Sequence, residues 1–166
     1  MVKNAPPDPE DVSAAFDKAV RILNAASQTT AGLTQKLLRR GYSQAAALAA
    51  CQRAVEMGYV NDAAYAEALV GRRLRQGRGV RLIGRELGHK GIDPDLVATA
   101  VAAVDPDDEY DSALDLAMRL VRRQAAASDP ARGRDRALAA MARRGFASGI
   151  ARRALAEATL RLAEPA

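Results

Sequence analysis

The feature that most constrains the fold is a short segment that occurs three times around a glycine. The copies are LTQKLLRRGYS at 33–43, IGRELGHKGID at 83–93 and ALAAMARRGFA at 137–147. In each copy a basic residue precedes the glycine, a large apolar residue follows it, and a leucine or methionine stands four positions before it. A repeat of this kind indicates a chain built from tandem copies of one structural unit.

The glycine also predicts how each copy folds. A glycine after a basic turn is typical of a helix C-terminus, because glycine adopts the left-handed conformation without a Cβ clash. The cation before it interacts favourably with the helix dipole. Ser43 and Asp93 then predict N-caps for the next helix, and Pro94 suits its first turn. Each copy is therefore expected to be a helix, a tight turn and a second helix.

A third helix is expected before each pair, with an aromatic residue near its start. These aromatics are Phe16, Tyr65 and Tyr110, and Asn61 and Asp105 are plausible N-caps for the last two of these helices. An aromatic at repeat spacing usually packs in a core, so we interpret the three as core anchors and not as a base-stacking set.

These signals predict an all-α protein of three tandem three-helix repeats. The expected organisation is a disordered N-terminal segment at 1–10, followed by repeats at 11–60, 61–105 and 106–166. The helices are expected near 12–25, 31–40, 44–57, 62–76, 79–90, 94–104, 107–127, 134–144 and 147–162. A loop is expected at 125–134, where Ser, Asp, Pro and Gly cluster. Because one small unit has little core of its own, we expect the repeats to stack into an elongated, curved array.

The residues needed for common catalytic and metal chemistry are missing from the sequence. The single cysteine, Cys51, and the single histidine, His89, cannot supply a zinc site or a catalytic dyad. Cys51 falls on an apolar helix face and is expected to be buried, whereas His89 is expected at a helix end. The segment Gly77-Arg-Gly79 lacks the rest of a phosphate-binding fingerprint and is interpreted as a hinge. The acids at 105–111 suit a helix N-terminus. No catalytic residue, metal or cofactor is expected, and the protein is not expected to be an enzyme.

The sequence also bears on localisation. It has no apolar run long enough for a membrane span, and its start lacks the apolar stretch of a signal peptide. We expect a cytoplasmic monomer with no membrane contact.

Positive charge is grouped along the chain and predicts an anionic partner. Residues 72–90 contain seven bases and one acid, although the net charge is only +5. In the helix expected within this segment, Arg78, Arg81 and Arg85 lie opposite an apolar stripe that begins at Val80. The residues expected to contact the partner are Arg39, Arg40, Arg72, Arg75, Arg78, Arg81, Arg85, Lys90, Arg143 and Arg144. The arginine pairs before the first and third repeated glycines are expected to line one edge of the stack.

Two further glycines in the basic helix, Gly84 and Gly88, weaken it relative to alanine. Close approach by a partner backbone would explain them, and so would tight packing between helices.

Several of these segments together resemble the RecX family of RecA regulators over about residues 14–158. The residues that carry the resemblance are Gly58-Tyr-Val-Asn-Asp62, Tyr65-Ala66-Glu67, Arg72-Arg73, Gly77-Arg-Gly79, Ile83, Glu86-Leu87, Lys90-Gly91-Ile92-Asp93 and Arg39-Arg-Gly-Tyr-Ser43. Gly84 and Gly88 depart from the polar or charged residues that the family pattern has at these positions.

The resemblance implies binding in the helical groove of the RecA–single-stranded-DNA filament. It implies inhibition of filament growth, ATP hydrolysis, strand exchange and co-protease activity, in DNA repair, recombination and the SOS response. RecX proteins are not enzymes, and the family has no catalytic motif to transfer to this chain.

Two other functions are compatible with the sequence. Helix–turn–helix pairs with arginines resemble a direct DNA-binding regulator, although three tandem copies and few Asn or Gln residues on the basic helices count against it. A structural scaffold would show no salt-sensitive affinity for DNA or filament. Weak nonspecific DNA binding fits either a filament regulator or a DNA-binding regulator.

Overall fold

The computed structural model of the protein describes residue 6 and residues 8–124 and 130–163. Within this part the chain forms nine helices and no strand, which confirms the predicted all-α class. The helices are α1 (Val12–Ala25), α2 (Thr30–Arg39), α3 (Gln44–Glu56), α4 (Asp62–Arg75), α5 (Val80–His89), α6 (Pro94–Ala102), α7 (Pro106–Gln124), α8 (Pro130–Arg143) and α9 (Ser148–Ala163).

The three repeated glycines end α2, α5 and α8 as predicted. Gly41, Gly91 and Gly145 have φ values of 95°, 74° and 91°, in the left-handed region. In the first copy the Tyr42 N–H donates to the Leu37 carbonyl oxygen at 3.4 Å, and the corresponding bonds in the other copies are 3.3 and 3.2 Å. This bond pattern satisfies carbonyl groups that the helix end leaves without partners.

The loop predicted at 125–134 is wrong for residues 130–134. Helix α8 begins at Pro130, because a proline at the first helical position lacks only an N–H that has no acceptor within the helix. Residues 125–129 lie outside the described part of the chain.

The end of the N-terminal segment makes defined contacts, although disorder was expected for residues 1–10. The Ser43 N–H donates to the Pro9 carbonyl oxygen at 2.9 Å, and Ser43 Oγ donates to Glu10 Oε2 at 2.8 Å. Pro9 and Glu10 thus contact Ser43, the N-cap of α3. Residues 1–5 and 7 lie outside the described residues.

The chain divides into two compact units. Unit 1 contains Met1–Glu67 and Leu87–Val97, and unit 2 contains Ala68–Glu86 and Ala98–Ala166. In unit 1, α1 packs against α3 and α2 around a core made of Ala15, Phe16, Ala19, Leu33, Leu37, Ala46, Ala47, Ala50, Cys51, Ala54 and Val60. In unit 2, α7 packs against α9 and α8 around a core made of Ala113, Leu114, Leu116, Ala117, Ala137, Met141, Phe146, Ala151, Ala154, Leu155 and Ala158.

Unit 1 contains a junction between the first and second repeats at the start of α2. Thr29 Oγ1 donates to the Lys90 carbonyl oxygen at 2.8 Å, and the Thr30 N–H donates to Asp62 Oδ1 at 2.8 Å. A Cβ on Gly91 would lie 2.4 Å from Ala31 Cβ. The start of α2 therefore packs directly on the glycine turn that ends α5.

Unit 2 contains the same kind of junction between the second and third repeats. The Gly79 N–H donates to the Arg144 carbonyl oxygen at 2.8 Å, and the Val80 N–H donates to Glu109 Oε1 at 3.0 Å. A Cβ on Gly79 would lie 2.6 Å from the Gly145 carbonyl group. In both junctions a carboxylate of the following repeat accepts a hydrogen bond from a first-turn N–H, which its charge and the helix dipole favour.

Candidate partner-binding surface

The ten residues predicted to bind a partner are distributed over both units. Arg39, Arg40 and Lys90 belong to unit 1, and the other seven belong to unit 2. Arg78 and Lys90 are half-buried, and the remaining eight residues are exposed. Exposure alone does not make these residues equivalent, because their immediate surroundings differ.

Arg78 forms a partly exposed ion pair within the chain. Its Nη1 lies 3.0 Å from Glu86 Oε2, and the same carboxylate accepts a 2.9 Å hydrogen bond from Arg73 Nε. Glu86 therefore neutralises part of the charge that the sequence suggested for this face. Of the three arginines predicted to form one cationic face, Arg81 and Arg85 are the two that lie on α5 itself.

Arg81 and Arg85 border a cavity of about 680 Å³, which we call the unit 2 groove. Its lining residues are Arg81, Arg85, Leu138, Ala139, Ala142, Gly145, Phe146, Ser148, Ala151 and Arg152. Three arginines stand beside a mainly aliphatic floor, and no carboxylate contributes to the lining. Arg152 is absent from the predicted set, although residues 132–166 contain eight bases and three acids.

Arg75 has a mixed-charge environment. It borders a cavity of about 340 Å³ together with Asp108, Asp111 and Asp115, and with Arg119. Three carboxylates around this cavity offset its two guanidinium groups. This part of unit 2 is therefore a weak candidate for an anionic partner.

Arg39 and Arg40 border a cavity of about 410 Å³ between α1 and α2, which we call the unit 1 groove. Its lining residues are Lys18, Arg21, Ile22, Ala25, Ala26, Lys36, Arg39 and Arg40. The sequence analysis missed Lys18, Arg21 and Lys36. Lys36 precedes Arg40 by four residues, so helical spacing was a usable signal for it. No local signal connects α1 with α2.

Lys90 and Arg144 contribute backbone atoms to the two junctions. The Lys90 ammonium lies 5.8 Å from the centroid of the Tyr65 ring, within cation–π range. Arg144 Nη1 donates to the Gln76 carbonyl oxygen at 3.5 Å. Their side chains thus take part in intramolecular contacts, although Arg144 is exposed, as Arg72 and Arg143 are.

Of the three aromatics predicted as core anchors, Phe16 belongs to the unit 1 core, Tyr110 packs half-buried against the unit 2 core, and Tyr65 is half-buried outside both cores. Phe16 is buried, and the Arg53 guanidinium lies 4.3 Å from the centroid of its ring. The Arg153 guanidinium lies 3.8 Å from the centroid of the Tyr110 ring. The Tyr110 hydroxyl donates a hydrogen bond to the Glu157 carboxylate. This bond lowers the pKa of Glu157 below its ordinary value, while burial, followed by the bond to Glu157, raises the pKa of Tyr110.

Cys51 and His89 have the surroundings expected from the sequence. Cys51 is buried, and its Sγ donates to the Thr30 carbonyl oxygen at 3.3 Å. Burial raises the pKa of this thiol, so it is a structural residue. His89 is exposed at the end of α5, and a Cβ on the neighbouring Gly88 would meet no atom within 4 Å. Tight helix packing therefore does not explain Gly88.

Among residues 6, 8–124 and 130–163, no three His, Cys, Asp or Glu side chains are grouped as a metal ion requires. None of the described helices combines the length and the apolarity needed to cross a membrane.

Comparison with known proteins identifies similar chains over most of the sequence. Family models match residues 15–53 as "RecX, first three-helix domain" and residues 61–101 as "RecX, second three-helix domain". The regulatory protein RecX of Mycobacterium avium is 32% identical, with 91% of this chain and 90% of that protein covered. The one from Thermobifida fusca is 39% identical over 90% and 81% of the two chains. The crystal structure of RecX from Lactobacillus salivarius superposes with a TM-score of 0.81 at 20% identity, over 90% of this chain and 97% of that one, and thus shares the fold.

Proposed function

The chain belongs to the RecX family of regulatory proteins, and we propose that it acts by binding the RecA–single-stranded-DNA filament and inhibiting RecA. In this proposal the three repeats at 11–60, 61–105 and 106–166 contact the helical groove of the filament in the cytoplasm. Binding limits filament growth, ATP hydrolysis, strand exchange and co-protease activity, and the protein itself catalyses no reaction.

The observation that supports this proposal best is the chemistry of the unit 2 groove. Its arginines stand beside an aliphatic floor that contains Leu138 and the edge of the buried Phe146. Protein interfaces are enriched in arginine, and their central contacts are well-packed apolar pockets. The groove therefore suits an acidic and apolar protein surface better than it suits bare phosphate. The exposed arginine pairs at 39–40 and 143–144 add weaker contacts, which together raise affinity.

The direct test is RecA ATPase activity on single-stranded DNA with substoichiometric amounts of this protein. We expect ATP turnover to fall, and we expect shorter filaments by electron microscopy, because one bound regulator stops growth for many RecA subunits. Unchanged turnover together with unchanged filament length would contradict the proposal. A sequence-specific footprint on duplex DNA without RecA would instead favour the direct DNA-binding regulator.

Charge reversal locates the interface. The double substitution Arg81→Glu and Arg85→Glu is expected to raise the concentration for half-inhibition about tenfold, the equivalent of about 1.4 kcal/mol. Arg78 is kept, because its reversal would break the ion pair with Glu86. The matched control is Arg122→Glu with Arg123→Glu on exposed positions of α7, which changes the net charge equally. Equal losses in both variants would show that only total charge matters.

A further inference from the structure

Five cationic side chains line the unit 1 groove, and they come from two helices. Lys36, Arg39 and Arg40 lie at the end of α2, where the helix dipole stabilises positive charge. Lys18 and Arg21 lie before the last turn of α1, so the helix dipole does not account for their positive charge. These two residues bring extra positive charge to a surface that is already cationic.

The carboxylates of the protein do not neutralise this groove. Among the described residues, none of the five cations forms an ion pair, and no acid lines the cavity. Asp17 is the neighbour of Lys18 in the sequence, but it is exposed and lies outside the lining. Like charges that face one concavity repel each other, so an anion bound there is stabilised by all of them.

We propose that the unit 1 groove binds the phosphodiester backbone of single-stranded DNA directly. Five cations exceed what one phosphate needs and suit several successive phosphates. The lining contains no aromatic ring for base stacking and only three aliphatic residues, Ile22, Ala25 and Ala26. Recognition would therefore depend on phosphate charge and not on base identity.

This inference goes beyond the proposed function, because it assigns a nucleic-acid contact that requires no RecA. The test is fluorescence anisotropy with a labelled oligothymidylate of about 12 nucleotides, a length within the range of single-strand site sizes. We expect binding that weakens between about 50 and 200 mM salt, with a log–log slope near −0.7 for each phosphate neutralised. An oligoadenylate of the same length is expected to bind equally well.

The informative variant is Lys18→Gln with Arg21→Gln. Removing two phosphate contacts is expected to make the salt slope shallower by about 1.4 and to weaken binding at low salt severalfold. On α1, Arg21 is exposed and Lys18 is half-buried, and an unchanged melting temperature would verify the fold. The matched control is Arg122→Gln with Arg123→Gln, which is expected to keep the slope of the unchanged protein.

Three results would overturn the inference. The first is that oligothymidylate shows no salt-sensitive binding, and the second is that the two double variants have equal salt slopes. The third is that an oligoglutamate of equal length binds as tightly as oligothymidylate and loses as much affinity in the Lys18→Gln, Arg21→Gln variant. None of these results bears on RecA inhibition. Retained inhibition of RecA ATPase in a protein that fails to bind oligothymidylate would leave the proposed function intact while rejecting the DNA contact.

Discussion

The unit 1 groove and the unit 2 groove are both cationic, but their linings differ in chemistry. In unit 1 five cations surround three aliphatic residues, whereas in unit 2 three arginines border a floor that includes Leu138 and Phe146. The first arrangement favours a highly charged, hydrated ligand, and the second favours a partner that also buries apolar surface. The difference shows that net charge alone does not identify the partner of a basic protein.

The two junctions, in contrast, use the same construction. In each, the start of a repeat's middle helix packs on the glycine turn of the next repeat and donates an N–H to a carboxylate. The carboxylates differ in burial, since Asp62 is half-buried and Glu109 is 7% exposed. The junctions thus share their geometry but are expected to contribute differently to the free energy of unfolding.

The largest effect is expected from Gly145→Ala, which should damage unit 2 selectively. A Cβ at this position would lie 2.4 Å from the Leu82 nitrogen, and the backbone has a φ of 91°. We expect a loss of about 2–4 kcal/mol in the free energy of unfolding, measured by urea denaturation. Gly149→Ala is the control, because a Cβ there would meet no atom within 4 Å.

The same variant separates the two grooves, because Gly145 lines the unit 2 groove. Under conditions where the variant remains folded, RecA inhibition is expected to fall while oligothymidylate binding stays within about twofold, since a twofold change is only about 0.4 kcal/mol. Parallel losses of both activities would show that the grooves do not act independently.

The next effect compares the two junction carboxylates. Glu109→Ala leaves the Val80 N–H without its acceptor and is expected to destabilise the protein by about 1–3 kcal/mol. Asp62→Ala is expected to cost less, because water can replace its more exposed carboxylate. Chemical denaturation of both variants beside Glu67→Ala, an exposed acid on α4, provides the comparison. An equal cost for the two variants would mean that burial does not distinguish the junctions.

The smallest effect is expected from Tyr110→Phe, which tests a pH dependence confined to unit 2. The hydrogen bond from Tyr110 lowers the pKa of Glu157 from its ordinary 4.5. A lowered carboxylate pKa stabilises the fold above the ordinary pKa, and this contribution disappears as pH falls through the lowered value. The melting temperature of Tyr110→Phe is therefore expected to fall less between pH 7 and low pH than that of the unchanged protein.

Phe16→Tyr in unit 1 serves as the control for a general aromatic effect. Phe16 is buried and packs against Tyr59 with a centroid distance of 6.3 Å. If the melting temperatures of Tyr110→Phe and the unchanged protein fall equally between pH 7 and low pH, the Tyr110–Glu157 bond is not a source of acid sensitivity.

Much of the fold could be predicted from the sequence because its signals are local. Gly41, Gly91 and Gly145 end their helices for reasons contained within a few residues, namely the left-handed backbone and the preceding turn. Apolar residues spaced three and four positions apart marked the helices closely. The main error was the stretch after Pro130, where the proline and glycine of an actual helix start suggested a loop.

The candidate binding surface was less predictable, since it depends on which helices become neighbours. The sequence by itself determined the three helix–glycine–helix copies, the burial of Cys51 and the exposure of Arg81 and Arg85, because backbone preference and helical periodicity act over short distances. Only the tertiary structure decided that α1 adds Lys18 and Arg21 to the cations of α2. It also decided that Arg152 joins Arg81 and Arg85 and that Glu86 neutralises Arg78. The reason is that charge interactions depend on distance in space, and helix packing sets that distance between residues that are remote along the chain.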